Sequence, residues 1–145
     1  MRRSERGFSL IEITAVLLLM AAFAVIVAPQ VIRSVEKGRV NAGKSQIQSL
    51  KSVLNQYKLE NGAYPTTEQG LDALYEKPTV PPVPENWDGP YVEDPVKEDP
   101  WHHPLVYRCP GLHNKNGYDL MSYGADGVEG GTGYDADITN WTQTR

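Results

Sequence analysis

Asp126, Glu129, Asp135 and Asp137 fall within one stretch that also holds Gly124, Gly127, Gly130, Gly131 and Gly133. Carboxylates are hard oxygen donors, and a glycine-rich backbone can turn its carbonyls inward between them. Calcium, which takes about six to eight oxygens, suits such a set. A solvated acidic loop is the other reading of the same composition, and composition alone leaves both open. The stretch is not an EF-hand, because the alternating acidic spacing and the terminal bidentate glutamate are absent. Gly130-Gly131-Thr132-Gly133-Tyr134-Asp135 has the opening of a calcium-binding nonapeptide, yet Asp137 takes the apolar position and the unit occurs once. Nonapeptide rolls need stacked repeats.

Other reactive side chains point to no catalytic constellation. His102 and His103 are adjacent, so in an extended segment they face opposite ways, and no cysteine at metal-ligand spacing accompanies them. They are expected to be solvated loop histidines. Cys109 is the single cysteine, which excludes an intramolecular disulfide and fits a small buried apolar residue. The chain has no nucleophile elbow, phosphate loop or zinc signature, so no enzymatic activity is expected. Its net charge of −4 becomes −6 without Met1–Gly7, a segment carrying three arginines and one glutamate. So acidic a chain is a poor ligand for nucleic acid.

One more carboxylate stands in an unusual place. From Ile13 to Ala28 no residue is charged, and a helix from Phe8 to Ala28 would cover roughly 30 Å, the thickness of a bilayer's hydrocarbon. Glu12 lies just inside it. An acid there costs a few kcal/mol on insertion and therefore implies a function and a partner. Cutting the chain after Gly7 would supply that partner, since the new ammonium of Phe8 lies within a helical turn of Glu12. A conventional secretory signal cut near Ala22-Phe23-Ala24 is the competing reading. Against it, Glu12 interrupts the apolar region and the helical pattern continues past Ala24. Arginines precede the span and basic residues follow it, so the positive-inside count leaves its orientation open.

The elements that must position these residues follow from periodicity. Pro29 is expected to end or kink the apolar block, with helix continuing beyond it, because proline lacks a donor and crowds the preceding turn. Ile47, Leu50, Leu54 and Tyr57 then recur at three- and four-residue steps, predicting an amphipathic helix that stops at Asn61-Gly62. Gly38 and Gly43 soften its middle. Thr66 and Gln69 fit a capping box, predicting a short helix through Leu71, Leu74 and Tyr75. Nine of the eleven prolines lie between Pro78 and Pro110, which predicts a loop anchored by Trp87, Tyr91 and Trp101. Residues 105–109 and 118–123 read as an antiparallel hairpin around a polar turn. Packed on the amphipathic helix, the hairpin completes one small α+β domain, with Ile47, Leu50 and Leu54 in a shared core.

Gly7-Phe8-Ser9-Leu10-Ile11-Glu12 after a short basic leader resembles the signal of type IV pilins and pseudopilins. Tyr57-Lys58-Leu59-Glu60-Asn61, Tyr64–Leu71 and Asp99-Pro100-Trp101 narrow the resemblance to the major pseudopilins of type II secretion, general secretion pathway protein G, although His102 stands where that family usually has glycine. General type IV pilins share the first helix but not the Tyr57–Leu71 segment, and a pilin of another system remains the nearest alternative. A calcium-binding domain released by a conventional signal peptidase is the alternative from another class.

The resemblance implies a type IV pilin-like fold in three parts: leader 1–7, transmembrane assembly helix 8–28 and periplasmic domain 29–145. It implies cleavage after Gly7 and N-methylation of Phe8 by a prepilin peptidase, and pairing of Glu12 with a neighbour's ammonium. It implies an inner-membrane, single-pass subunit that polymerises with itself, and with minor pseudopilins and an assembly platform, to export folded proteins across the outer membrane. Ser122–Gly127 and Asp137-Ile138 match the family's calcium segments. They imply one Ca2+ held by Asp126 and Asp137, by the carbonyls of Tyr123 and Val128, and by Asp135, whose spacing departs from the adjacent aspartates of some members.

Overall fold

The computed structural model describes residues 7–142, so the basic leader residues Arg2, Arg3 and Arg6 lie outside the described residues. A single helix, α1 (Leu10–Asn61), contains both the apolar block and the amphipathic segment. Pro29 does not end it: the missing N–H removes one hydrogen bond, and the turns on either side carry the helix through. At the other end Gly62 takes φ 81° and its N–H donates to Lys58 O at 2.8 Å. Only glycine reaches this left-handed cap without steric cost.

The chain divides into two compact units, Met1–Glu36 and Lys37–Arg145. In the first, the apolar residues are exposed along the helix, and the most apolar 18-residue window contains no buried residue. By length and composition this helix qualifies as a membrane span.

In the second unit Ile47, Leu50, Leu54 and Tyr57 form the buried stripe the spacing predicts. They share a core with Leu71, Leu74, Tyr118, Leu120 and Ile138. Strand β1 (Val106–Arg108) pairs antiparallel with β2 (Asp119–Ser122), with Val106 opposite Met121. This is the expected hairpin, trimmed at both ends. A third strand, β3 (Ile138–Thr139), pairs with the far edge of β2 and was not expected.

The capping box forms reciprocally: Thr66 N–H donates to Gln69 Oε1 at 2.9 Å, and Gln69 N–H to Thr66 Oγ1 at 3.2 Å. The helix after it is shorter than expected, a 3-10 turn over Leu71–Leu74, because Gly70 at φ 61° breaks the helical path just before it. The proline-rich segment is anchored as predicted. Trp87 Nε1 donates to Ala73 O at 2.9 Å, and Tyr91 packs edge-on to Tyr57 while its hydroxyl reaches Glu60 Oε2 at 2.6 Å. Its last part is not irregular, since Asp99 N–H to His103 O and Leu105 N–H to Lys97 O close a tight reversal.

Candidate functional site

Gly7, Phe8 and Ser9 precede α1, and all three are exposed. Ser9 N–H donates to Glu12 Oε2 at 2.9 Å, and Glu12 N–H donates to Ser9 Oγ at 3.3 Å. This is a capping box, Ser-x-x-Glu, a local signal that periodicity passed over. Its effect is to fix the Glu12 carboxylate over the first turn, on the N–H of the Phe8–Ser9 peptide, the next peptide bond after Gly7–Phe8. An ionised carboxylate has lone pairs for more than one donor, so this geometry leaves it able to accept a cation as well.

The C-terminal loop closes on itself through backbone bonds. Ala125 N–H donates to Tyr134 O at 3.0 Å, Asp137 N–H to Gly130 O at 3.2 Å, and Asp135 N–H to Thr132 O at 3.2 Å. Asp126 Oδ1 accepts the N–H of Val128 at 3.0 Å, and Asp137 Oδ2 accepts that of Gly130 at 3.0 Å. Gly124 cannot be replaced here: at φ 67°, a Cβ would stand 2.9 Å from the carbonyl oxygens of Asp135 and Ala136. The Asp135 backbone thus packs against Gly124, while its side chain is on the exposed rim. Tyr123 is half-buried and the Val128 side chain is exposed.

Among these residues Asp137 is the anomaly. Its Oδ1 is buried with no hydrogen-bond partner. Burial pushes its carboxyl up from the ordinary value; the Gly130 N–H opposes that rise, and the charges of Glu129 and Asp126 add to it. Carboxylates brought together with one oxygen unsatisfied are what a dication would relieve. Among the described residues no three His, Cys, Asp or Glu side chains converge on one point. Calcium ligation that draws on backbone carbonyls does not require such a convergence.

The loop's foot is held by Asp99, Ser122 and His103, whose association the sequence does not disclose. Asp99, buried, accepts the N–H groups of Trp101 and His103 at 2.9 Å each, and Ser122 Oγ donates to its second oxygen at 2.5 Å. Ser122 Oγ also accepts Gly124 N–H at 3.2 Å, and His103 Nδ1 lies 3.0 Å from Gly124 O. His103 is therefore not the solvated loop residue expected: its ring covers Gly127, where a Cβ would meet it at 3.0 Å. His102 does remain exposed, beside Glu98. Asp99-Pro100-Trp101 is visible in the sequence as a motif, but only the fold reveals that Asp99 supports Gly124 through Ser122.

A helix with an exposed apolar N-terminal part, continuing into a small antiparallel sheet and a glycine-rich loop, is the architecture of the type IV pilin-like subunits, pseudopilins among them. The crystal structure of the major pseudopilin from the type 2 secretion system of enterohaemorrhagic Escherichia coli is similar at TM-score 0.61 and 40% identity, over 76% of this chain and 92% of that one. The family described as type II secretion system (T2SS), protein G matches residues 30–141. Type II secretion system core protein G of Pseudomonas aeruginosa is 46% identical over 142 residues, 97% of each chain. That of Vibrio cholerae is 40% identical over 140 residues, 96% of this chain and 93% of its own. The chain belongs to the type II secretion system protein G family.

Proposed function

We propose that this chain is the body subunit of a type II secretion pseudopilus, a non-catalytic protein that polymerises with copies of itself to drive folded proteins across the outer membrane. Glu12 carries the reading. It is an acid at the start of an apolar helix, held on Ser9 N–H, with Gly7 and Phe8 exposed just before it. A prepilin peptidase cuts that bond and N-methylates Phe8, and the Glu12 of one subunit receives the ammonium of its neighbour. The subunit waits in the inner membrane through its N-terminal helix, with the sheet domain in the periplasm. Minor pseudopilins and the inner-membrane assembly platform are its other partners. The C-terminal loop holds one calcium ion through Asp126 and Asp137, with the carbonyls of Tyr123 and Val128 and with Asp135 at its edge. The ion supplies charge neutralisation and rigidity there, not reaction chemistry.

Mass spectrometry of the mature protein tests the first step. A start at N-methylated Phe8 is expected, whereas a start near Val25 would mean conventional signal cleavage and would end the filament reading. Glu12→Leu tests the second: it should leave the subunit in the membrane while abolishing polymerisation, because it eases insertion and removes the ammonium's partner. Normal filaments from this variant would give Glu12 another role.

A further inference from the structure

One face of α1 in the second unit is a row of lysines. Lys37, Lys44, Lys51 and Lys58 stand seven residues apart, and from Lys37 to Leu59 there is no aspartate or glutamate. Seven residues advance a helix by about 10 Å and rotate it by only about 20° from whole turns, so the four lysines form one stripe. All four are exposed, and among the described residues none pairs with a carboxylate; Lys58 Nζ lies over the Tyr64 ring at 4.6 Å. Lys44 and Lys51, with Gln48 between them, line a groove of about 610 Å³ in which Asp137 is the one carboxylate.

The opposite charge is concentrated elsewhere on the same unit. From Gly62 to Pro100 the sequence has nine carboxylates and two lysines. Glu68, Asp72 and Glu76 line a separate groove of about 280 Å³ together with exposed Val80. Asp72 is matched by Lys97 at 3.4 Å, whereas Glu68 and Glu76 form no ion pair among the described residues; Lys77 is the one cation lining this groove, against its three carboxylates. The two grooves have no lining residue in common.

We propose that the lysine stripe of one subunit docks on the Glu68–Glu76 surface of the next copy; this inference rests on the filament reading above. A two-fold dimer through either patch would set like charges against each other. Made once per interface, stripe of one copy on groove of the next, the pairing is heterologous, the kind of contact that repeats and, where the rotation does not close, makes a filament. The lysine spacing is close to the Debye length of about 8 Å at physiological salt, so each lysine acts on its own partner and added salt weakens the contact.

The test is charge exchange in the full chain, co-produced with its assembly machinery, with filaments scored by sedimentation and microscopy. Limited proteolysis of each variant confirms that the domain is folded. Lys44→Glu with Lys51→Glu should reduce filaments at least tenfold, as should Glu68→Lys with Glu76→Lys. Combining all four changes should restore them to within a few-fold of wild type, and wild-type filaments should shorten in high salt. Wild-type filament levels in either double variant would overturn the proposal. So would a four-fold variant no better than the doubles, which would assign the stripe to a different partner such as an anionic lipid surface. If the wild-type chain itself formed no filaments, the pseudopilin reading would fail first and this pairing with it.

Discussion

Ser122 Oγ lies 2.5 Å from Asp99 Oδ2, a buried bond between residues 23 apart that joins the foot of the C-terminal loop to the reversal at Asp99–His103. The same hydroxyl accepts Gly124 N–H, and His103 Nδ1 meets Gly124 O, so both backbone groups of Gly124 are held from this one network. Ser122→Ala should cost about 1–3 kcal/mol, since it leaves a fully buried carboxylate oxygen without its donor. Asp99→Ala should cost about 3 kcal/mol or more, because the N–H groups of Trp101 and His103 lose their acceptor too. Chemical denaturation measures both. Equal and negligible losses would mean that water replaces these bonds at no cost.

Two glycines of α1 look alike in sequence and differ in the fold. At Gly43 a Cβ would stand 2.8 Å from Ile138 Cδ1 and 3.6 Å from Trp101, so here glycine permits the close approach of helix and β3. At Gly38 nothing lies within 4 Å. Gly38→Ala should therefore stabilise by up to about 1 kcal/mol through helix propensity. Gly43→Val should destabilise by about 1–3 kcal/mol, because two branched methyls must fit where Ile138 already sits. Thermal melts of the two variants should move in opposite directions.

That pair also marks the boundary of what the sequence discloses. The Ile47, Leu50, Leu54 and Tyr57 stripe, the hairpin and the Thr66–Gln69 capping box are local patterns, and local patterns are legible because neighbours along the chain decide them. Strand β3 is two residues long and exists only because β2 offers an edge. Gly43 is needed only because Ile138 and Trp101 arrive from distant segments, and His103 is covered only because Gly127 does. The glycine-rich loop was visible as composition, but which of its carboxylates would be left short of a partner was not. That depended on where Gly130 and Val128 placed their N–H groups.

Asp119 links the stability of the domain to pH on the acid side. Burial alone would raise its carboxyl, but the N–H groups of His113 and Asn114, the His113 ring and the N–H of Leu112 outweigh it and hold the group below the usual carboxylate range. The backbone bonds are 2.7 to 2.9 Å long, and the His113 ring is stacked on Trp141. A depressed folded-state value contributes stability that is complete above the unfolded value of about 3.9 and is lost as pH falls through the folded one. Asp119→Asn should therefore cost about 1.5–3 kcal/mol at pH 7, and the gap to wild type should narrow as pH falls below the ordinary carboxylate range. A gap independent of pH would show that shape, not charge, is what Asp119 supplies.

The calcium proposal turns on Asp137. Its buried Oδ1 has no partner, and the charges of Glu129 and Asp126 oppose its ionisation on top of burial. Few apolar side chains from 124 to 137 are available to offset the entropy of ordering so many glycines. A dication reverses the electrostatic sign, turning mutual repulsion of the carboxylates into shared attraction. If it binds only the folded form, a soluble fragment starting near Arg33 should gain about 2.7 kcal/mol at calcium a hundredfold above Kd. Magnesium should do much less, since its small octahedral shell fits a wide, carbonyl-rich loop poorly. Asp126→Ala and Asp137→Ala should abolish the gain. Asp135→Ala should only weaken it, because that side chain stands on the exposed rim. Asp137→Asn gives the sharpest reading: without the buried charge the fragment should melt in chelator at or above the wild-type temperature, yet calcium should no longer move it. Coincident wild-type melting curves in calcium and chelator would leave the stretch an ordinary acidic loop.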